Sequence, residues 1–337
     1  MTCVRDCLNP CPVREVIDTS DGKGDAPRVV VLMSTYQGER YVRAQLQSIL
    51  MQLPPEGRIV VRDDGSSDAT ASTILQLQDD RIVLIRGDNL GFGQSFLTLL
   101  MLAPADADMV MFSDQDDIWL PGKIDRAWRH LSTFDGQAVL YASAQTLTDA
   151  DLRPLQSTSA WPKPPTLTNA LIENIVTGCT AAMNRPAVVL LQRAGVPATV
   201  RFHDWWCYLV LSALGTVVYD NEPTLLYRQH GGNVIGHGVG WFGRQARMAS
   251  FLLRNDWVGI LLGQIQALLR HYGDVLPRAT RECLLARFRV QENDATPRWR
   301  FILAPRRYRQ IAAHEIPLRV LLTLHKLRLW RPRRRAL

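Results

Sequence analysis

The chain has 337 residues, 47% of them apolar, which is ordinary for one large globular domain or one domain with an appendage. Its six scattered cysteines are too few for a disulfide framework, and its longest uncharged apolar run, residues 257–269, is too short to span a bilayer. The formal charge of +7 is concentrated between Arg298 and Arg335, where twelve basic residues accompany a single acid, Glu315. This basic tail suggests an anionic partner surface, either a membrane or a nucleic acid.

Residues 1–27 contain Pro, Gly, Asp and Ser without periodicity, which predicts a disordered extension. They show no charged-then-apolar signal segment, so we expect a cytoplasmic protein. From residue 28 onwards, short apolar runs alternate with helical spacing. The predicted strands are 28–33, 59–61, 82–85, 109–112 and 139–142, and the predicted helices are 41–51, 67–77, 92–102 and 121–134. This order predicts an α/β fold with a largely parallel sheet covered by helices on both faces.

The second half of the chain is less regular. The pattern predicts helices at 166–175 and 202–214, and strands at 178–183, 215–219 and 224–227. Three later segments, 241–248, 256–271 and 316–329, combine apolar stripes with cationic residues and are predicted to be helical. The sequence therefore predicts one domain over residues 28–235 and a basic helical region over residues 236–337.

Three polar clusters each follow a predicted strand directly. They comprise residues 34–36, residues 63–64 and residues 114–117. In open α/β sheets, ligands bind outside the carboxyl ends of the strands. We therefore expect these clusters to lie along one rim of the sheet and to form a binding site.

The carboxylates of Asp114, Asp116 and Asp117 follow a buried strand, where they repel one another and lose hydration. A hard divalent ion held by one or two carboxylates, with substrate phosphates in its other positions, would relieve that repulsion. The alternatives are a solvated acidic turn, or carboxylates that cap the helix starting near Pro121. The sequence thus predicts a cation site with Mg²⁺ or Mn²⁺ as the cofactor.

Seven motifs occur in the order typical of one enzyme family: VVVLMSTYQGERYVRAQLQSIL, VRDDGSSDAT, DNLGFGQSF, FSDQDDIWLPGK, TGCTAAMNR, HDWW and LYRQHGGNVIG. Residues 28–235 resemble a family 2 glycosyltransferase of the GT-A fold, in particular the rhamnosyltransferase-like branch of bacterial surface-polysaccharide enzymes. The resemblance implies transfer of a sugar from a nucleotide diphosphate to an acceptor hydroxyl, with inversion at the anomeric carbon. It favours a dTDP- or UDP-sugar donor and a glycan acceptor, which can be lipid-linked.

The resemblance also assigns roles on the donor side. Asp116 is the implied principal metal ligand, and Asp117 supports the ion or orients Asp116. Asp114 matches the position that contacts the ribose. His230 is an implied late metal or diphosphate contact, although a histidine beside two glycines is also typical of a plain loop, and Arg228 is a competing diphosphate contact.

The residues implied to bind the base follow the first two strands. Asp64 is the best candidate to accept the pyrimidine imide N–H, with Asp63 beside it, while Ser34 and Tyr36 frame the ring. The alternative for the Asp-Asp-Gly-Ser segment is a plain turn. One departure from the family pattern concerns Gln94, because many relatives have a basic residue in this segment that helps to hold the nucleotide.

Inversion in one displacement needs a base that takes the proton of the acceptor hydroxyl. The family places an Asp at the start of a helix in the second half of the domain, and the HDWW motif supplies Asp204. The alternative for Asp204 is a helix cap. Of Trp205 and Trp206, one could stack on a sugar face while the other joins the core, or both could be core residues.

Other functions compete with this interpretation. A sugar nucleotidylyltransferase has a similar sheet, but it would normally carry a Gly-rich loop ending in a basic residue, and STYQGER does not fit. A nucleic-acid-binding protein would need basic character near the rim, whereas this rim is acidic and suits a metal–diphosphate. A scaffold protein would leave the acidic rim without a role. We therefore expect an enzyme without a nucleic-acid partner.

The aromatic residues of the C-terminal region interleave with arginines, which favours binding in the plane of an anionic bilayer surface. The residues concerned are Trp241, Phe242, Phe251, Leu252, Trp257, Trp299, Phe301, Tyr308 and Trp330. Such a surface would hold the protein at the cytoplasmic face of the membrane. The alternative is a helical subdomain that packs on the catalytic domain and only exposes its arginines.

Overall fold

A computed structural model describes residues 26–158, 161–230, 256–291, 294–303, 308–311, 314–327 and 329. The predicted disordered extension, apart from its last two residues, and the predicted helix over 241–248 lie outside the described residues. The predicted domain boundary near residue 235 also lies outside them, and it remains a prediction.

The first half of the chain forms the parallel part of the sheet, as predicted. Strands β1 (Val29–Thr35), β2 (Arg58–Asp63), β3 (Ile82–Arg86) and β4 (Met109–Ser113) lie in the order β3-β2-β1-β4. Helices α1 (Val42–Leu50), α2 (Thr70–Leu75) and α3 (Phe92–Met101) connect them. Each connection is a β-α-β crossover, so the carboxyl ends of all four strands lie at the same edge.

The second half completes the sheet in the order β8-β6-β9-β5 after β4, with β7 paired to β6. Its elements are β5 (Ile118–Trp119), α4 (Lys123–Leu131), β6 (Val139–Thr148), β7 (Pro154–Ser157), α5 (Leu167–Ala170), β8 (Ala182–Asn184), α6 (Arg185–Gln192), α7 (His203–Leu214) and β9 (Thr216–Arg228). Strand β8 runs antiparallel to both β4 and β6, which the sequence did not indicate.

Four predicted elements differ from the structure. The strand predicted at 178–183 is a 3₁₀ turn, Gly178–Thr180, followed by β8. The helix predicted at 166–175 is the single turn α5, because Asn169 and Glu173 are drawn into contacts with the C-terminal region. The two strands predicted at 215–219 and 224–227 are one strand, β9, interrupted by a bulge.

Strand β9 has a bulge opposite β6. Ser143 and Ala144 are consecutive in β6, but their partners in β9, Asp220 and Pro223, are separated by two extra residues. Asp220 stabilises the bulge: one carboxylate oxygen accepts the N–H of Glu222 at 3.0 Å, and the other accepts the hydroxyl of Tyr141 at 2.8 Å. Polar residues and a proline at the bulge explain why the sequence pattern reads as a strand break.

Strand residues alternate between two apolar layers, which is why the sheet is covered on both faces. On one face, Val30, Leu32 and Phe112 pack with helices α3, α6 and α7. On the other face, Val31 and Met111 pack with α1, α2 and α4. The predicted α/β architecture with helices on both faces is therefore confirmed.

The C-terminal elements pack on the first of these layers. They are α8 (Trp257–Tyr272), α9 (Arg278–Arg287), the hairpin of β10 (Phe288–Gln291) and β11 (Asp294–Pro297), α10 (Trp299–Ile302) and α11 (Glu315–Lys326). Phe301 and Tyr308 are 0% and 3% exposed within the core, so assigning them to a bilayer surface was wrong. Trp257 stacks on Trp205, with ring centres 6.1 Å apart. The aromatic interleaving of the tail therefore reflects packing in part.

A buried polar contact fixes the segment 308–311 to the catalytic domain. Arg309 donates to Glu173 at 3.0 Å, and the backbone N–H of Gln310 donates to the same carboxylate at 2.7 Å. The side-chain amide of Gln310 also exchanges two hydrogen bonds with the backbone of Lys163. These contacts support the alternative in which the region packs on the domain.

Replacing Glu173 by alanine should destabilise the protein by about 3–5 kcal/mol, because it leaves the Arg309 guanidinium buried without its counter-charge. The Arg309 and Glu173 side chains are only 12% and 10% exposed. Urea unfolding followed by tryptophan fluorescence measures the change. The matched control is Glu282→Ala, which removes an exposed ion pair with Arg278 and should leave the midpoint unchanged. Equal midpoints for the two variants would contradict the prediction.

Candidate active site

The carboxyl ends of β1, β2 and β4 bring the predicted polar clusters to one rim of the sheet. Thr35 of β1 lies opposite Asp63 of β2, and Met33 lies opposite Ser113 of β4. The first cluster, 34–36, overlaps the end of β1, and the second, 63–64, overlaps the end of β2. The third, 114–117, begins directly after β4. The structure places all three clusters together, as the strand-end rule predicts.

The acidic cluster after β4 is half-buried and electrostatically strained. Burial, together with the nearby carboxylates of Asp116 and Asp204, raises the pKa of Asp114 to about 7. Burial also raises the pKa of Asp117 well above its usual range. Among the described residues, one Asp117 oxygen has no hydrogen-bond partner, while the other accepts the Arg228 N–H at 3.1 Å. The cluster is arranged to accept a cation.

Pairing of β5 with β9 returns the chain to this cluster, because Ile118 lies opposite Leu226. His230 Nε2 is 2.7 Å from Asp116 Oδ2. The Arg228 Nε donates to the Asp116 carbonyl at 2.8 Å, and its guanidinium lies 4.7 Å from the ring centre of Tyr41. Asp116, His230 and Arg228 are thus brought together over 110 residues of sequence separation.

The donor atoms at this point fit a divalent ion. Asp116 supplies a carboxylate oxygen and His230 an imidazole nitrogen, a set that suits Mn²⁺ and, with phosphate oxygens and water, Mg²⁺. Asp117 is 1% exposed, and one of its carboxylate oxygens accepts the Arg228 N–H. The ligand atoms of Cys179, Asp114 and Asp117 also lie within 4.8 Å of one another, and burial raises the pKa of the Cys179 thiol well above normal.

Asp204 lies in the first turn of α7, on the same side as Asp114. Burial raises its pKa to about 6, and hydrogen bonds from Trp205, Asn174 and Gly178 limit the increase. A Cβ at Gly178 would lie 2.7 Å from His203 Nε2 and 3.6 Å from the Cβ of Asp204. The glycine therefore allows the start of α7 to approach the rim. Asp204 both accepts a first-turn N–H and faces the acidic cluster.

Neither tryptophan of the HDWW motif is available to a sugar. Trp205 and Trp206 are 4% and 0% exposed, and Trp205 Nε1 donates to the Ala170 carbonyl at 2.7 Å. The prediction that one of them could stack on a sugar face was wrong, and the core alternative holds. The α7 helix is apolar all round because it is buried between the sheet and α8.

The residues predicted to frame the base lie at the end of β1. The Ser34 hydroxyl is 2.7 Å from the hydroxyl of Ser95. Tyr36 is half exposed, and its backbone N–H and C=O each bond at 2.9 Å to the side-chain amide of Gln115. The acidic motif and the end of β1 are therefore tied to each other through Gln115.

The two carboxylates after β2 are buried and already have protein partners. Asp63 accepts hydrogen bonds from the Thr35 hydroxyl at 3.1 Å and from the Ser66 hydroxyl. The bond with Ser66 is the contact expected if this segment is a turn. Asp64 pairs with Arg62 and accepts the N–H groups of Leu90 and Gly91, both at 2.9 Å. A carboxylate has about four acceptor positions, so Asp64 retains one of them.

The sequence profile of Glycosyl transferase family 2 matches residues 30–189. Residues 30–189 form a family 2 glycosyltransferase domain. The profile spans the rim after β1, β2 and β4 and ends within α6. The predicted family and the predicted transferase class are therefore confirmed, and the nucleotidylyltransferase alternative is set aside.

Bacterial glycosyltransferases are similar to parts of this chain. The dTDP-rhamnosyl transferase RfbG of Shigella flexneri is 26% identical over 242 residues, covering 67% of this chain and 80% of RfbG. WfgD of Escherichia coli, a UDP-Glc:alpha-D-GlcNAc-diphosphoundecaprenol beta-1,3-glucosyltransferase, is 31% identical over 97 residues, covering 29% of this chain and 38% of WfgD.

The fold of this glycosyltransferase is similar to that of TarS 1–349 from S. aureus, whose structure contains UDP-GlcNAc. The two superimpose with a TM-score of 0.55 at 16% identity, covering 89% of this chain and 81% of that chain. This confirms the predicted GT-A fold class. In the part of the chain that the structure describes, each helix is too short or too polar to cross a membrane.

Two residues of the glycosyltransferase site, Arg62 and Gln115, were not singled out from the sequence. Arg62 is a charged residue within an apolar strand, and Gln115 interrupts an acidic run. Both features are visible in the sequence and could have indicated site residues. Gln94 donates to the carbonyl of Val200 at 2.7 Å and so ties α3 to the loop before α7. Lys123 is 1% exposed and donates to the Thr224 hydroxyl at 3.0 Å, which no spacing rule indicates.

Proposed function

We propose that this glycosyltransferase moves a sugar, rhamnose in the first instance, from a dTDP- or UDP-linked donor to a hydroxyl of a growing lipid-linked glycan. Inversion at the anomeric carbon is part of the proposal. The observation that carries it is the rim, where Asp116 and His230 lie together and Asp204 faces the same acidic cluster. Donor activation and proton removal thereby have separate groups in one site.

The leaving-group side of the reaction is assigned to Asp116 and His230, with Asp117 supporting the ion or orienting Asp116. When bound, Mg²⁺ or Mn²⁺ would neutralise the charge that develops on the departing diphosphate. Asp116 and His230 are 2.7 Å apart, so one ion can take the place of the hydrogen bond between them. Arg228 is held by the Asp116 carbonyl and places a further positive charge at this point.

The acceptor side is assigned to Asp204. Its pKa of about 6 leaves it ionised at neutral pH, yet basic enough to take the proton of an acceptor hydroxyl as the bond to the sugar forms. Its hydrogen bond to the Trp205 N–H, at 2.7 Å, holds the carboxylate in a fixed orientation. Orientation is needed because a base contributes only if it is within hydrogen-bond reach of the proton.

The nucleoside is assigned to the β1–β2 end of the rim. Asp114 would accept ribose hydroxyls, and Asp64 would accept the imide N–H with its remaining acceptor position. Ser34 and the exposed ring of Tyr36 would frame the base, with Asp63 holding the turn beneath it. A pyrimidine suits this end because uracil and thymine both present an imide donor.

The names of two relatives support the donor and the acceptor. RfbG is named as a dTDP-rhamnosyl transferase, and WfgD is named for an acceptor carried on diphosphoundecaprenol. Both names describe those proteins, and we extend them to this chain as part of the proposal.

A panel of nucleotide sugars tests the donor assignment. Purified protein is incubated with dTDP-rhamnose, UDP-glucose, UDP-GlcNAc and GDP-mannose in the presence of Mn²⁺, and release of the nucleoside diphosphate is measured. We expect slow hydrolysis of a dTDP- or UDP-sugar, with the first-formed free sugar in the inverted anomeric configuration. Release only from GDP-mannose, or a retained configuration, would contradict the proposal.

We further propose that α11 brings the protein to the cytoplasmic face of an anionic membrane, where lipid-linked acceptors are presented. Ile316, Val320 and Leu327 are 72%, 51% and 50% exposed, and their spacing puts them on one face of α11. Leu318 and Leu322 are buried on the opposite face. Six basic residues follow between Lys326 and Arg335. An apolar stripe next to such a run suits an anionic bilayer surface.

Vesicle sedimentation tests this surface at low and high salt. The full chain should bind vesicles containing phosphatidylglycerol, and replacing Ile316, Val320 and Leu327 together by serine should reduce binding about tenfold or more. The matched control replaces Met51, Leu75 and Val83, which are exposed apolar residues of the catalytic domain, and should bind like the unmodified protein. Equal binding by both triple variants would reject α11 as the membrane surface.

A further inference from the structure

The exposed ring of Tyr36 is carried by a backbone segment that the loop after β2 holds in place. Gln37 has a φ of 50°, in the left-handed region that residues other than glycine rarely adopt. The Gln37 N–H donates to the Ser66 hydroxyl at 3.0 Å, and its side-chain oxygen accepts the Asp68 N–H at 3.1 Å. A backbone in this region persists only where the surrounding contacts fix it. The turn that follows Tyr36 is therefore fixed from the β2 side.

The side-chain amide of Gln115 fixes the same segment from the β4 side. It accepts the Tyr36 N–H and donates to the Tyr36 carbonyl, both at 2.9 Å. The amide thus uses both hydrogen-bonding groups of the Tyr36 backbone. It also lies against Gly38, where a Cβ would come within 2.1 Å of Gln115 Oε1. The absence of a side chain at residue 38 leaves the room that the amide occupies.

Gln115 is the residue between Asp114 and Asp116, to which the ribose and the ion are assigned. Its backbone belongs to the acidic motif, whereas its side chain contacts the segment that carries the Tyr36 ring. One residue therefore connects the two ends of the donor site.

We propose that Gln115 is a positioning residue that holds the Tyr36 ring in place before the donor binds, so that the base packs on a preformed surface. This inference rests on the base site of the proposed function. A preformed surface raises affinity because its side chains and backbone are not ordered at the expense of binding. The diphosphate is assigned to Asp116 and His230, so the effect of Gln115 should be confined to the nucleoside.

The test compares ligands that have a base with one that has none. Titration calorimetry in MnCl₂ gives Kd for UDP, dTDP and inorganic pyrophosphate. Methionine is close to glutamine in length and is also neutral, so Gln115→Met removes both hydrogen bonds with little change in volume or charge. The Kd for the nucleotide that the unmodified protein binds more tightly should rise about tenfold, within what base stacking on an aromatic ring contributes. The Kd for pyrophosphate should stay unchanged.

Gly38→Ala disturbs the same contact while keeping Gln115. The new Cβ would displace the amide, which is the far end of a flexible side chain, so the protein should fold and the nucleotide Kd should rise by a similar factor. In Gln115→Ala the space beside residue 38 is empty. Adding Gly38→Ala to that variant should therefore change Kd by less than about twofold, since the two substitutions remove one shared contact.

Gln52→Met is the matched control. The Gln52 amide also donates to two backbone carbonyls, those of Ser48 at 3.2 Å and Leu120 at 3.1 Å. It follows the C-terminal end of α1, whereas the Tyr36 segment precedes the N-terminal end of that helix. This variant loses the same kind of bonds and should keep the Kd values of the unmodified protein for nucleotide and pyrophosphate.

The outcomes distinguish this inference from the proposed function. Unchanged nucleotide Kd in Gln115→Met and Gly38→Ala overturns the inference, and so does an equal rise in the Kd for pyrophosphate. Failure of both variants to fold, measured by circular dichroism, also overturns it, because the contact is then a requirement of the fold. If the unmodified protein binds neither UDP nor dTDP more tightly than pyrophosphate, the base site of the proposed function fails and the inference fails with it.

Discussion

Asp204→Asn should lower the turnover number by about 10²- to 10⁴-fold while leaving donor binding intact. Asparagine keeps the size of the side chain and the oxygen that accepts the Trp205 N–H at 2.7 Å, so the first turn of α7 should remain formed. It cannot take a proton from the acceptor hydroxyl. Steady-state kinetics with the identified donor and acceptor, together with Kd for the nucleoside diphosphate, measure both expectations.

The pH profile gives a second measurement of the same assignment. Because the pKa of Asp204 is raised to about 6, kcat/KM should rise with pH through about 6 and then level off as the carboxylate becomes fully ionised. Asp204→Asn should lose this rise. Asp125→Asn is a matched control, since Asp125 also lies in the first turn of a helix but is exposed on α4. Normal turnover by Asp204→Asn with reduced stability would identify Asp204 as a helix cap.

Asp116→Ala should abolish metal-dependent turnover and remove Mn²⁺ binding while the protein stays folded. The substitution takes away the carboxylate that contacts His230 and also relieves repulsion with Asp114, so the loss of function should not come with a loss of stability. Isothermal titration with MnCl₂ and thermal melting measure the two effects separately. Asp80→Ala, which removes an exposed acid outside the rim, should leave both unchanged.

Full activity of the unmodified protein in excess EDTA would contradict the metal assignment. Full activity of Asp116→Ala would contradict it as well. A fall in stability of Asp116→Ala that matches its fall in activity would instead indicate that the contact with His230 is structural. The two results differ in the melting curve, so one set of measurements decides between them.

The sequence predicts the parallel half of the sheet well because each strand there is a short apolar run next to its crossover helix. The position of the site at the rim was also predictable from this pattern. The strands that end at Thr35, Asp63 and Ser113 are neighbours in the sheet, so the residues that follow them lie at one edge. The antiparallel direction of β8 could not be predicted, because the strand pairs with β4 and β6 across a long sequence separation. Its three residues carry no periodic signal of their own.

The role of the C-terminal region was harder to predict. In the sequence, its aromatic and basic residues fit membrane binding and packing on the catalytic domain equally well. Phe301 is completely buried whereas Trp299, two residues earlier, is 43% exposed, and only the three-dimensional contacts separate them. The same limit applies to Trp205 and Trp206, whose burial depends on where α8 packs. The spacing predicted that these residues make apolar contacts. It did not predict which surface they contact.

The bulge in β9 restricts how the length of this chain can change. Successive strand residues point to opposite faces, so deleting one residue between Asp220 and Pro223 would turn every later side chain of β9 to the other side. Arg228 would then face away from Asp116, and His230 would leave with it. Removing two residues would preserve the facing and shorten only the bulge. Insertions and deletions here should therefore be tolerated in even numbers, although this part of the strand looks like an ordinary polar turn.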